Sequence, residues 1–71
     1  INVSDVERYL NNWISEGVCS KKGQTYVVDL EKAGYEKLLG GGRIEKKVEI
    51  KVKEATKRAV EKVEKAGGKV L

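Results

Sequence analysis

The sequence predicts a small, single-domain α/β fold with two main helices, short and partly parallel strands, and a C-terminal βαβ unit. Three observations carry that prediction. Apolar residues recur at helical spacing in residues 4–17 and 54–68, β-rich runs lie between and after these segments, and glycines stand where the runs end. Seventy-one residues allow one core only, near the lower size at which a core stabilises itself.

The opening "INV" reads as a strand end. In "SDVERYLNNWISEG", Ser4 and Glu7 have the spacing of a capping box, in which each side chain satisfies a free backbone N–H at the helix start. Val6, Tyr9, Leu10, Trp13 and Ile14 then share one apolar face, and Gly17 stops the helix. "VCSKKGQ" reads as a turn exposing Lys21 and Lys22, and "TYVVDL" as a short buried strand. Asp29 is placed to cap a single helical turn that Gly34 closes, and "YEKLL" reads as a strand end running into Gly40, Gly41 and Gly42.

From Arg43 to Lys53 the pattern alternates. Ile44, Val48, Ile50 and Val52 fall on one face with Lys46 as the exception, which puts Lys46 at or beyond the sheet edge. A second helix follows, with Thr56 as N-cap, Ala59, Val60, Val63 and Ala66 as its buried stripe, and Gly67 just past its end. Glu54–Arg58 and Glu61–Lys65 have the i,i+4 spacing of helical ion pairs. "KVL" closes the chain as a strand, which makes the last third a βαβ unit with parallel strands.

Composition narrows the chemistry. Apolar residues make up 39% and charged residues 37%, so a modest core sits under a densely ionic surface. Cys19 is the only cysteine and histidine is absent; no disulfide can form within the chain, and a metal would find only carboxylates. No apolar run approaches a membrane span. A chain that opens on Ile1 and lacks methionine is expected to be an excised piece of a longer polypeptide. The net charge is +4, and it is uneven. Residues 1–35 carry four basic against five acidic side chains (−1), and residues 36–71 carry eleven against six (+5). Such asymmetry points to a polyanion such as nucleic acid, or to a solvated Lys/Glu-rich surface; charge alone does not separate them.

A phosphate loop requires a glycine-rich turn opening onto a helix with Lys-Ser/Thr, whereas these glycines run into Arg43-Ile44-Glu45 and a strand pattern. The "GGK" at 67–69 lies at a helix C-terminus, where the dipole repels anions. The carboxylates fall mostly on exposed faces with no histidine base nearby, so no catalytic residue is assigned. Cys19, read as a loop residue beside Lys21 and Lys22, is expected to be dispensable. Tyr9, Trp13 and Tyr26 read as core residues, and Tyr35 stays open between packing and stacking. What remains is a basic rim of Lys37, Arg43, Lys46 and Lys47 around the glycine turn, with Lys51, Lys53, Lys57 and Arg58 further along. Cations beside glycine amides can grip phosphate without reading bases; they can also simply keep a domain soluble.

"KLLGGGRI", "VEIKV" and "ATKRAVEKVEKAGG" together resemble the C-terminal domain of the large-subunit ribosomal protein family L-fifteen in its archaeal form, and the related L-eighteen-e family. The pattern falls on Lys37, Leu39, Gly40, Gly42, Thr56, Ala59, Lys62, Val63, Glu64, Ala66, Gly67 and Gly68, and "INV" and "VVDL" extend it over the whole chain. Ala55 departs from it, since many members carry an aromatic residue there. The resemblance implies a cytoplasmic, non-enzymatic structural constituent of the large ribosomal subunit. Its partners would be large-subunit ribosomal RNA and neighbouring ribosomal proteins, with no cofactor, small-molecule substrate or membrane. It also implies that residues 1–71 are the globular C-terminal domain without the family's basic N-terminal extension. The candidate RNA-binding residues are Lys37, Gly40, Gly42, Arg43, Lys46 and Lys47. Gly40 and Gly42 are expected to need positive φ, with Gly41 incidental. The alternative, from another class, is a protein–protein adaptor with a merely solubilising basic surface.

Overall fold

Alternation along the two central strands sets the architecture. In the computed structural model, which describes residues 1–71, β2 (Thr25–Asp29) buries Tyr26 and Val28, and β4 (Lys47–Lys51) buries Val48 and Ile50. One face of the sheet is therefore apolar, and the helices α1 (Val3–Glu16) and α2 (Lys57–Lys65) cover it in a two-layer α/β arrangement. The sheet order is β1-β2-β4-β6, with β1 (Cys19–Lys22) antiparallel to β2, and with β4 parallel to both β2 and β6 (Lys69–Val70). A second, two-stranded parallel sheet pairs β3 (Lys37–Leu38) with β5 (Glu54–Ala55). β4, α2 and β6 form the expected βαβ unit, and fifteen apolar residues make one core.

The start of α1 differs from the expected capping box. Asn2 is the N-cap, and the Asp5 carboxylate accepts from its N–H at 3.3 Å. The helix begins early because the Asn2 carbonyl takes the N–H groups of Asp5 and Val6, while Val3 N donates to Leu39 O. Glu7 is left free to act elsewhere. The buried stripe is Val3, Val6, Leu10 and Trp13; Tyr9 and Ile14 flank it and remain 36% and 38% exposed, so neither is a core residue. Trp13 packs against Tyr35, with ring centroids 6.3 Å apart, which gives Tyr35 a packing role.

Cys19 is not in a loop. It opens β1 and is 5% exposed, because "CSKK" and "TYVVD" form a hairpin around Gly23-Gln24, with positive φ at Gly23 only. Burial pushes its thiol pKa up. Asp29 caps the next turn as expected, accepting from Glu31 N and Lys32 N. The strand expected over 43–53 forms only at Lys47–Lys51. Its partner β2 begins opposite Lys47, so earlier residues have no ladder to join, although Ile44 still reaches the core.

In α2, Thr56 Oγ1 accepts from Ala59 N at 3.2 Å, and Ala59 and Val63 are buried. The helix ends in a Schellman motif, with Gly67 N bonded to Glu64 O and Gly68 N to Val63 O. Gly68 crosses β4 so closely that a Cβ there would lie inside the Val48 carbonyl. Neither i,i+4 pair forms, and Glu54 lies in β5, ahead of the helix.

Candidate nucleic-acid interface

The segment from Leu39 to Lys46 has no ladder of its own and is fastened to both helices. Lys62 Nζ donates to Gly40 O and Gly42 O, each at 2.6 Å. Gly41 is held from the α1 side, its N–H donating to Asn2 Oδ1 (3.1 Å) and its carbonyl accepting from Ser4 N (3.3 Å). Further along, Ile44 is buried, and Glu7 Oε1 accepts from Glu45 N (2.9 Å) and Lys46 N (3.0 Å).

This lashing gives each glycine a separate reason. Only Gly42 has positive φ, at 77°. Gly40 does not; it is buried because α2 passes so near that a Cβ would meet Arg58 Cβ at 2.9 Å and Ala59 N at 3.0 Å. A Cβ on Gly41 would sit 2.5 Å from Asn2 Oδ1, so the Asn2 side chain would have to shift and give up its bond to Gly41 N. The expectation of positive φ at 40 is therefore corrected to close backbone approach.

Three open concavities adjoin along this segment. The first is lined by Gly40, Gly41, Gly42, Thr56, Arg58 and Lys62, beside the N-terminus of α2. The second shares Gly42 and Lys62 with it and adds Arg43, Ile44, Glu45, Lys65 and Ala66. The third shares Glu45 and Ala66 with the second and adds Lys21, Gln24, Tyr26, Lys46 and Lys47. Together they form one band running down α2 to the β1–β2 hairpin. Seven cations line it, and Glu45 is the only carboxylate.

The structure brings Gly40, Gly42, Arg43, Lys46 and Lys47 into the band, the glycines through their backbone. Lys37 lies elsewhere, on β3 opposite Glu54, with its carbonyl accepting from the Ile1 ammonium. Four lining cations fell outside the candidate set: Lys21, Arg58, Lys62 and Lys65. The last three have i, i+4, i+7 spacing on α2, a visible signal for one helix face. Lys21 needed the hairpin: its Nζ and that of Lys46 lie 5.2 and 5.4 Å from the Tyr26 ring centroid, and Tyr26 itself is 8% exposed. The ring is thus a buried platform for ammonium groups.

Electrostatically the band suits a row of phosphates. The first turn of α2 points its partial positive charge into the first concavity, and the amides of Gly40 and Gly42 donate to nothing within the chain. The Arg43–Glu45 pair, 3.6 Å apart and with both side chains largely exposed, withholds little charge. Such a surface offers an anion charge and amide donors, without groups arranged to read base edges.

A small, two-layer α/β domain with a continuous basic band is the class that fold and site define. The chain belongs to the family described as ribosomal proteins 50S-L15, 50S-L18e and 60S-L27a, whose model matches residues 1–71. It is 46% identical over 71 residues to the large ribosomal subunit protein uL15 of Archaeoglobus fulgidus, covering 100% of this chain and 40% of that protein. It is 45% identical over 71 residues to uL15 of Hyperthermus butylicus (100% and 47% covered), and 41% identical over 70 residues to uL15 of Thermofilum pendens (99% and 46%). The chain spans less than half the length of these relatives.

Proposed function

We propose that this domain is a structural, non-enzymatic constituent of the large ribosomal subunit in the cytoplasm, gripping large-subunit ribosomal RNA by its phosphates and meeting neighbouring ribosomal proteins elsewhere on its surface. One observation carries the reading: a chain of this family concentrates seven cations and one carboxylate on a single continuous band. An A-form helix offers such a band phosphates and 2′-hydroxyls rather than readable base edges, so contact depends little on sequence. Lys62 is committed to the glycine carbonyls and the longest dimension of the domain is 28 Å, so only part of the set meets phosphate at once. About four neutralised phosphates give a log–log salt slope of roughly −3 to −4.

The test is a titration with transcribed large-subunit ribosomal RNA fragments at several salt concentrations. Lys46→Glu with Lys47→Glu is expected to weaken binding and flatten the slope. Lys32→Glu with Lys53→Glu changes the same charge beyond the C-terminal ends of β2 and β4, outside the band, and is expected to do less. Equal damage from both pairs would leave only bulk charge, and binding without a salt slope would favour the adaptor reading.

A further inference from the structure

We infer that Glu7 is a positioning residue for the basic band: its carboxylate carries the wrong charge for an anion surface, yet it strengthens RNA binding by holding the loop that aims the cations. The inference rests on the RNA-binding reading above. One oxygen, Oε1, accepts from two consecutive amides, Glu45 N at 2.9 Å and Lys46 N at 3.0 Å. Successive amides converging on one point form an anion-binding concavity, and here a side chain of the protein fills it. The bonds reach 38 and 39 residues along the chain, so they join α1 to a segment with no ladder of its own.

Position makes these bonds consequential. They lie between the buried anchor Ile44 and Lys47, the first paired residue of β4. Without Glu7, the backbone at 45 and 46 would have no fastener between those two points. Arg43 lines the band just before this stretch, and Lys46 and Lys47 line its hairpin end. The placement of Lys46 over the Tyr26 ring depends on where its own N–H is held. A loosened loop would present these cations in the binding-competent arrangement for only part of the time, and apparent affinity falls by that fraction.

Charge and position predict opposite signs, which makes the inference testable in the folded domain. Glu7→Ala removes a negative charge beside the band. If Glu7 acted only through charge, that variant would bind ribosomal RNA fragments more tightly than wild type. The positioning role predicts weaker binding, on the order of fivefold if the competent population falls to about a fifth. Glu7→Gln keeps an acceptor oxygen on the same stem and is expected to restore binding to wild-type strength or better. Amide hydrogen exchange at Glu45 and Lys46 is expected to quicken in Glu7→Ala and stay slow in Glu7→Gln, with thermal melts confirming that both variants fold. Tighter binding by Glu7→Ala, or unchanged exchange at those amides, overturns the inference. If wild type fails to bind RNA, the ribosomal reading and the affinity claim fall together, while the exchange measurement still decides whether Glu7 holds the loop.

Discussion

Gly42→Ala offers the most direct test of how the loop is built, because two separable costs meet at that residue. Its φ of 77° lies in the left-handed region, where an L-side chain costs roughly 1–2 kcal/mol. A Cβ would also overlap Ser4 Cβ and Oγ in the first turn of α1, and Cβ cannot rotate away. Forcing extra carbon into such a contact costs roughly 1–3 kcal/mol, so the total is about 3 kcal/mol. For a domain this small each kcal/mol shifts Tm by roughly 4–8 °C, which makes the loss easy to resolve in thermal or urea melts. Ser4→Gly removes the overlapping atoms, leaves the bond from Ser4 N to Gly41 O intact, and by itself costs about 0.5 kcal/mol or less of helix propensity. In that background Gly42→Ala should cost only the conformational term, about 1–2 kcal/mol. The cycle therefore predicts a favourable coupling of roughly 1–3 kcal/mol between the two sites. Gly34→Ala is the control, with φ of 94° and nothing within 4 Å of the added Cβ. A Gly42→Ala cost no larger than that of Gly34→Ala, or one that Ser4→Gly leaves unchanged, would refute the reasoning.

Cys19→Ser places a hydroxyl in a buried core position of β1 and should destabilise by roughly 1–3 kcal/mol, measured as a fall in urea midpoint. The native thiol, buried and with its pKa raised, should react with a thiol reagent only once denaturant opens the sheet. Asp5 titrates below its ordinary 3.8, held down first by its hydrogen bond with Arg8 and then by the Asn2 N–H. Since the folded value is depressed, its stabilisation is present above the unfolded pKa and disappears as pH falls through the folded one. Asp5→Asn should therefore be less stable than wild type near neutrality and equal to it in strong acid, read from melts at both pH values.

Both helices, the closing βαβ unit, Thr56 as a cap and the Asp29 turn were legible in the sequence, because each rests on the spacing of residues near one another in the chain. What was not legible depends on partners far along the chain. Ser4 and Glu7 have capping-box spacing, but the cap is Asn2, whose side chain also holds Gly41, 39 residues away. Cys19 read as loop because the Lys21-Lys22-Gly23 run masks a strand that exists only through its pairing with β2. Lys62 looks like a surface lysine until the glycine carbonyls are placed beside it. The candidate site shows the same divide. Arg43, Lys46 and Lys47 could be grouped from the sequence because they are neighbours there, whereas the α2 face and Lys21 come beside them only in three dimensions.

The three glycines also explain how a bare backbone segment can border a basic surface. Peptide carbonyls are partial negative charges, and four of them in an exposed turn would repel a phosphate. Here all four, from residue 39 to residue 42, are turned to donors within the chain. Leu39 O accepts from Val3 N, Gly41 O from Ser4 N, and Gly40 O and Gly42 O from Lys62. The amides of Gly40 and Gly42 stay free beside the first turn of α2. Gly40 allows the helix to come close enough for Lys62 to reach both carbonyls, and Gly42 reverses the chain so that its carbonyl faces the same ammonium. The glycines are therefore architecture first, and that architecture gives the turn its electrostatic sign.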